Sequence, residues 1–318
     1  MINFKEYLTE AEQLLEKLVV FNGGAKYGQI VFMSGGAGSG KGFASSTFLE
    51  SEKFKIRDVD EWKKSFLAIS ELKDKYPEIQ GLDLKKAKDV YKLHMFVKQL
   101  GIKDKSLNLL LSDVKQDRLP NIIFDITGKS ISDFEESIPL LLEVGYDPTN
   151  IHLAWILTNY KVAYAANVTR ERVVPADVFI DTHRGAGKTM QQLIDNKRMP
   201  YGANGRFVVI MNNRENTIFF KPGEQYKGKT VPTSAKGVKD FYYITVKEAG
   251  KPFKPEETWK EELHKQIVAN VPGGESTIDD MRLDAIEMLK KDLVKKDKKL
   301  KAYTGIGIIK HDIRKEKS

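Results

Sequence analysis

No cysteine occurs among the 318 residues. Neither a disulfide framework nor a thiolate metal site can be built, which suits a reducing compartment. Long apolar runs are missing too. None approaches the roughly 18 residues that a membrane-spanning helix needs, and the opening MINFKEYLTEAEQ has no apolar signal-peptide core. These absences predict a cytoplasmic protein without a membrane role. No internal repeat is found.

What is present suffices for one large domain, or for one domain with appendages. Apolar residues make up 41% of the chain, enough for a sizeable core. The 52 Lys and Arg exceed the 44 Asp and Glu, giving a net charge of +8 that favours anionic partners. The surplus is partly local. Residues 290–301, KKDLVKKDKKLK, hold seven lysines, which fits either a solvated helix face or a contact with nucleic acid.

Periodicity sets the architecture. Phe4, Tyr7, Leu8, Ala11, Leu14, Leu15 and Leu18 fall at helical spacing, predicting an amphipathic helix over 3–19. Five apolar runs predict strands at 29–34 (QIVFMS), 54–60 (FKIRDVD), 121–127 (NIIFDIT), 151–158 (IHLAWILT) and 206–212 (RFVVIMN). Helical stretches separate them, including several over 61–118 and SDFEESIPLLLEVG stopped by Gly145. Parallel neighbours need crossover helices, so the expected fold is an α/β three-layer sandwich on a mainly parallel five-stranded sheet. After 213, β-branched and aromatic residues alternate around Gly and Pro turns, predicting a β-ribbon. A helix in PEETWKEELHKQIVANV follows, then a last long helix with a stripe of Ile278, Met281, Ala285, Leu289 and Leu293.

The chemistry starts after the first apolar run, at GGAGSGKGF. Gly35, Gly40 and Lys41 hold the three defining positions of the G-x-x-x-x-G-K phosphate loop, with a strand before and a helix after. Gly35, Gly36, Ala37, Gly38, Ser39, Gly40, Lys41, Gly42 and Phe43 are therefore the expected ATP-binding residues. Glycines let successive N–H groups converge on phosphate oxygens, the helix N-terminus adds partial positive charge, and Lys41 reaches the β and γ phosphates. Gly42 stands where a hydroxyl usually ligates Mg²⁺. In this the loop resembles that of nucleoside monophosphate kinases, whose metal is held mainly through water and phosphate.

A second segment, RGAGKT at 184–189, imitates the pattern. Six residues before Lys188, however, stands Thr182 rather than glycine, and no strand precedes it. Residues 176–196 are expected to form a helix and Lys188 to be non-catalytic.

Asp58 and Asp60 sit at the end of the second expected strand, the ligand edge of such a sheet. Either one orients and deprotonates an acceptor hydroxyl, Asp60 first, or caps the following helix. Asp125, after IIF, sits where an acid binds Mg²⁺ through water; Thr127 is beside it. Arg170 and Arg172 follow a helix, as on a lid that swings cations onto a transferring phosphate; the alternative is surface ion pairing with Glu171 and its neighbours.

The order of phosphate loop, D-x-D-x-aromatic-basic, strand-terminal Asp125 and R-x-R before VVP resembles the zeta-toxin group of P-loop kinases over residues 28 to about 212. The resemblance implies an ATP- and Mg²⁺-dependent kinase in which Lys41 grips phosphate, Asp60 is the base and Arg170 and Arg172 serve the lid. Zeta toxins phosphorylate a hydroxyl of UDP-N-acetylsugars; here the acceptor is a nucleotide sugar, a nucleotide or nucleic acid. The implied division is an N-terminal helix (1–27), a kinase core (28–213) with a lid around 163–175, a ribbon (214–253) and a helical basic region (254–318). FKEYLTEA also looks like short leaders on proteins of large tailed phages, which would place the enzyme in a host cytoplasm. The competing expectation is an ATP-gated binding protein whose basic C-terminus holds nucleic acid or a virion partner, with little turnover.

Overall fold

The computed structural model describes residues 27–49, 54–57, 67–101, 119–169, 173–221, 223–226, 229–231, 238–274 and 278–296. In chain order the elements are β1 (Ile30–Ser34), α1 (Lys41–Phe48), β2 (Lys55–Arg57), α2 (Ser70–Lys75), α3 (Ala87–Gln99), β3 (Ile122–Ile126), α4 (Ser132–Glu135), α5 (Ile138–Glu143), β4 (Ile151–Leu157) and α6 (Tyr160–Asn167). They continue with α7 (Ala176–Asp195), β5 (Phe207–Met211), β6 (Thr217–Phe219), β7 (Gln225–Tyr226), β8 (Lys229–Thr230), β9 (Val238–Phe241), β10 (Tyr243–Lys247), α8 (Lys260–Asn270) and α9 (Ile278–Lys296). The helix expected over 3–19 lies outside the described residues.

All five expected strands form, and they pair in parallel in the order β2–β3–β1–β4–β5. Strands β1, β4 and β5 are buried along their whole length, as a parallel sheet covered on both faces requires. Alternate residues serve opposite layers. Ile30 and Phe32 join Phe124, Trp155 and Phe207 in a cluster with Phe134 of α4, Leu141 of α5, Met190 of α7 and Leu263 of α8. Val31 and Met33 face the other way, with Ala44 of α1 and Phe241 of β9. The Phe32 ring stacks on Phe124 at 4.7 Å and meets Phe134 edge-on at 5.5 Å. Truncating such a fully buried ring to alanine costs about 3–5 kcal/mol.

Strand order reverses at β1, whose neighbours are β3 and β4. The crevice beyond the carboxyl ends of the strands at that point is where ligands of such sheets bind, and the loop after β1 opens into it.

Two expectations divide on inspection. SDFEESIPLLLEVG forms two short helices, because Pro139 falls in the first turn of α5 and, lacking an N–H, cannot continue the ladder from α4. Gly145, at φ +101°, ends the second. In the ribbon region β6 pairs with β9 and β7 with β8, both antiparallel, while β10 leaves the ribbon to become a sixth, antiparallel strand of the main sheet beside β5. Alternation marks β10 as a strand but carries no information about its partner. Residues 176–195 are helical.

The last helix is attached to the core. Met281 and Ala285 are buried against Tyr160, Ala163 and Tyr164 of α6 and Phe179 and Ile180 of α7, with Ile278 and Leu289 beside them. Asp284 pairs with Lys161 across that seam. Among the described residues no helix is long and apolar enough to cross a membrane.

Candidate active site

The loop Gly35–Gly40 turns from β1 directly into α1. Gly38 and Gly40 adopt φ of +71° and +80°, a region that L side chains enter only with strain. Space forbids side chains as well: a Cβ on Gly40 would lie 2.3 Å from Asn212 Nδ2, and one on Gly38 2.6 Å from the Ala163 carbonyl. The first helical hydrogen bond runs from Ala44 N–H to the Gly40 carbonyl. The N–H groups of Gly38, Gly40, Lys41 and Gly42 make no backbone hydrogen bond among the described residues. Four donors without a backbone acceptor thus lie next to the positive end of a helix at the sheet edge, the arrangement that receives phosphate.

Lys41 Nζ donates to the Gly35 carbonyl at 3.0 Å and lies 3.5 Å from Asp125 Oδ1. The register of β1 and β3, in which Met33 pairs with Asp125, brings the carboxylate to the loop. Lys41 thus spans the loop mouth, between its own backbone and the acid of the neighbouring strand. Gly42 is different from the other loop glycines: a Cβ there would meet nothing within 4 Å. The absent hydroxyl is a matter of chemistry and not of space.

Four side chains hold the loop from outside. Thr158, following β4, and Asn212, following β5, both donate to the Ser39 carbonyl at 2.7 Å. On α7, Thr182 Oγ1 accepts from Ala37 N–H at 3.1 Å, and His183 Nε2 sits 2.8 Å from the Ala37 carbonyl. A carbonyl only accepts, so His183 Nε2 carries the hydrogen. Burial, with the Lys41 charge adding to it, pushes the His183 ring down to about 4 despite its bond to Ala37; the ring is neutral near pH 7.

None of these four belongs to a phosphate-loop pattern in the sequence. Thr158 and Asn212 carried only one signal, a polar residue straight after a buried run. Thr182 and His183 border the segment that imitates a phosphate loop. Its glycines serve helix packing: a Cβ on Gly185 would lie 2.4 Å from Lys129 Cγ, and one on Gly187 2.8 Å from Val271 Cγ1. Lys188 is exposed, while Thr189 donates to the Lys129 carbonyl at 2.9 Å. Lys129 in turn pairs with Asp181 at the ligand edge.

The structure thus gathers Gly35–Phe43 and Asp125 at one edge of the sheet. Asp58, Asp60, Arg170 and Arg172 lie outside the described residues. What flanks them is clear. Arg57, last residue of β2, pairs in register with Phe124 and places its guanidinium 5.3 Å from that ring. Buried Asn167 receives Val174 N–H at 3.0 Å and donates to the Val174 carbonyl at 2.9 Å, so one side chain fastens the described ends on either side of the two arginines.

Comparison with known proteins gives a family. The zeta toxin family model matches residues 14–223. Among solved structures, a chain of the PezAT chromosomal toxin–antitoxin system of Streptococcus pneumoniae is 13% identical, with 92% of this chain and 97% of that chain covered and a TM-score of 0.44. The AvrRxo1-ORF1:-ORF2 structure with ATP is 12% identical, covering 86% and 73%, with a TM-score of 0.41. Deoxyadenosine kinase from M. mycoides with bound dATP is 18% identical, covering 57% and 90%, with a TM-score of 0.31. No curated protein matches the chain.

Proposed function

The chain belongs to the zeta toxin family of P-loop phosphotransferases, and from that premise we propose that it transfers the γ-phosphoryl group of ATP to a hydroxyl of a nucleotide, nucleotide sugar or nucleic-acid acceptor. The observation that carries the reading is Lys41, held 3.0 Å from the Gly35 carbonyl and 3.5 Å from Asp125, beside four N–H groups that make no backbone hydrogen bond among the described residues. Phosphoryl transfer is mostly positioning and charge stabilisation, and this edge supplies both. The N–H groups cradle the phosphates and Lys41 carries the β and γ charge. Asp60 takes the proton of the acceptor hydroxyl, with Asp58 as the other candidate. Arg170 and Arg172 bring cations to the transferring group.

Asp125 is the metal-facing acid in this reading. Among the described residues no group of three or more His, Asp or Glu side chains could hold an ion, and Gly42 offers no side-chain oxygen. One carboxylate suits Mg²⁺, which keeps several waters and takes phosphate oxygens as ligands. When bound, the metal neutralises charge on the β and γ phosphates.

The test is incubation with γ-labelled ATP against panels of nucleotides, UDP-sugars, RNA and DNA. Label should move to one class, and Lys41→Ala should abolish the transfer; a chain that binds ATP but labels no acceptor would support the ATP-gated binding protein instead. The lysines of 290–301, which begin on a helix packed against α6, are the feature that favours nucleic acid in that second reading. Binding there would weaken steeply with salt.

A further inference from the structure

We propose that Thr182 and His183 are positioning residues for phosphate binding, which α7 exerts on the loop through a single residue, Ala37. The inference rests on reading the loop as the ATP site. In a trans peptide the carbonyl and the following N–H point in opposite directions. The Ala37 carbonyl lies 2.8 Å from His183 Nε2, so that hydrogen bond turns the Gly38 N–H away from α7, free to serve the phosphates. One peptide earlier, Ala37 N–H is spent on Thr182 Oγ1 at 3.1 Å, which leaves the Gly36 carbonyl to accept Ser39 N–H at 3.1 Å. Two adjacent peptide planes are thereby fixed by two adjacent side chains.

The clamp is built to hold one orientation. Thr182 donates its own hydrogen to the Phe179 carbonyl at 2.7 Å, so toward Ala37 its oxygen acts as acceptor. The His183 ring is wedged between Phe179, at a centroid distance of 4.6 Å, and Gly36, where a Cβ would lie 2.3 Å from His183 Cδ2. An anchor is needed because Gly38 has no Cβ, and glycine enters either sign of φ at little cost. Without the anchor the Ala37–Gly38 peptide is free to flip, withdrawing a donor from the phosphates and turning a carbonyl toward them. The helix that imitates a phosphate loop would then be what sets the real one.

The experiment is calorimetric titration of the full chain with ATP, and separately with inorganic pyrophosphate, for the wild type and His183→Phe, His183→Gln and Thr182→Val. His183→Phe keeps a ring on Phe179 but cannot donate; it should weaken both ligands about tenfold or more, the scale of a lost buried donor. His183→Gln, which offers an amide N–H near the place of Nε2, should recover both to within about threefold. Thr182→Val keeps the volume and should weaken both about threefold, which retains a test if His183→Phe does not fold. Wild-type affinity in His183→Phe, or equal loss in His183→Gln and His183→Phe with native melting temperatures, would overturn the clamp; so would wild-type affinity in Thr182→Val. Failure of the wild type itself to bind ATP would instead overturn the kinase reading.

Discussion

Lys41 Nζ lies 3.5 Å from Asp125 Oδ1, so the first residue of α1 and the fourth of β3 meet across the end of β1. In the proposed kinase reading, a cation placed there would meet the charge that develops on a transferring phosphate. Lys41→Ala should therefore lower phosphate transfer by at least about a hundredfold and weaken ATP binding. Asp125→Asn should keep ATP binding and raise the Mg²⁺ concentration needed for half-maximal rate. Label transfer and a Mg²⁺ titration read the two effects.

Asp60→Asn should lose transfer while ATP still binds, because a general base acts on the acceptor and not on the nucleotide. Normal transfer in that variant would move the role to Asp58 or remove it from both.

The loop glycines should respond unequally. Gly42→Thr adds atoms where a Cβ meets nothing within 4 Å, so it should fold normally and change metal preference more than ATP affinity. Gly36→Ala drives a Cβ to 2.3 Å from the His183 ring; a cost of about 1–3 kcal/mol is expected for such overpacking, together with weaker ATP binding. Melting temperature and titration calorimetry separate the two.

Lys188→Ala tests the imitation motif. The side chain is exposed, so stability should change by less than about 0.5 kcal/mol, with ATP binding and transfer as in the wild type.

Two buried histidines make stability depend on pH. His152 has Nε2 2.8 Å from Gln29 Oε1 and accepts Arg206 N–H on Nδ1 at 2.8 Å. Burial first, then Arg206 and Lys247, pushes it from 6.5 down to about 3, and His183 is pushed to about 4. Both are depressed below the unfolded value, so their stabilisation is complete above about pH 6.5 and is lost as pH falls toward 4 and 3. Linkage gives a loss of about 2 kcal/mol per histidine at pH 5. Urea unfolding at pH 7.5, 6 and 5 should show the decline, and a flat profile would contradict the burial of both rings.

The fold was legible because burial on both faces leaves continuous apolar runs in β1, β4 and β5; β2, with Lys55 and Ile56 exposed, carries no such run. Partners were less so: the alternation of Tyr243–Lys247 suits a ribbon as well as a sheet edge, and nothing local distinguishes them. At the site, Asp125 stands in the sequence only as an acid near the end of an apolar strand, and the register of β1 and β3 is what brings it to Lys41; the loop could be read because a phosphate loop imposes its spacing within one segment. Thr158, Asn212, Thr182 and His183 could not, since each acts on a backbone group 119 to 173 residues away. Thr182 was noticed only as the residue that spoiled a second motif.

Helix α7 has its attachments in fixed phase. Thr182 and His183 face the phosphate loop, Gly185 and Thr189 face Lys129, Arg184 reaches the Gly273 carbonyl at 2.6 Å, and Gly187 lies under Val271. One inserted residue would turn everything beyond it by about 100° and shift it about 1.5 Å, breaking these contacts together. The evolutionary freedom of this stretch is therefore lopsided: Lys188 is open to substitution, but the count of residues between Thr182 and Thr189 is not open to change. Across related chains, insertions and deletions should accumulate elsewhere and stop at this helix.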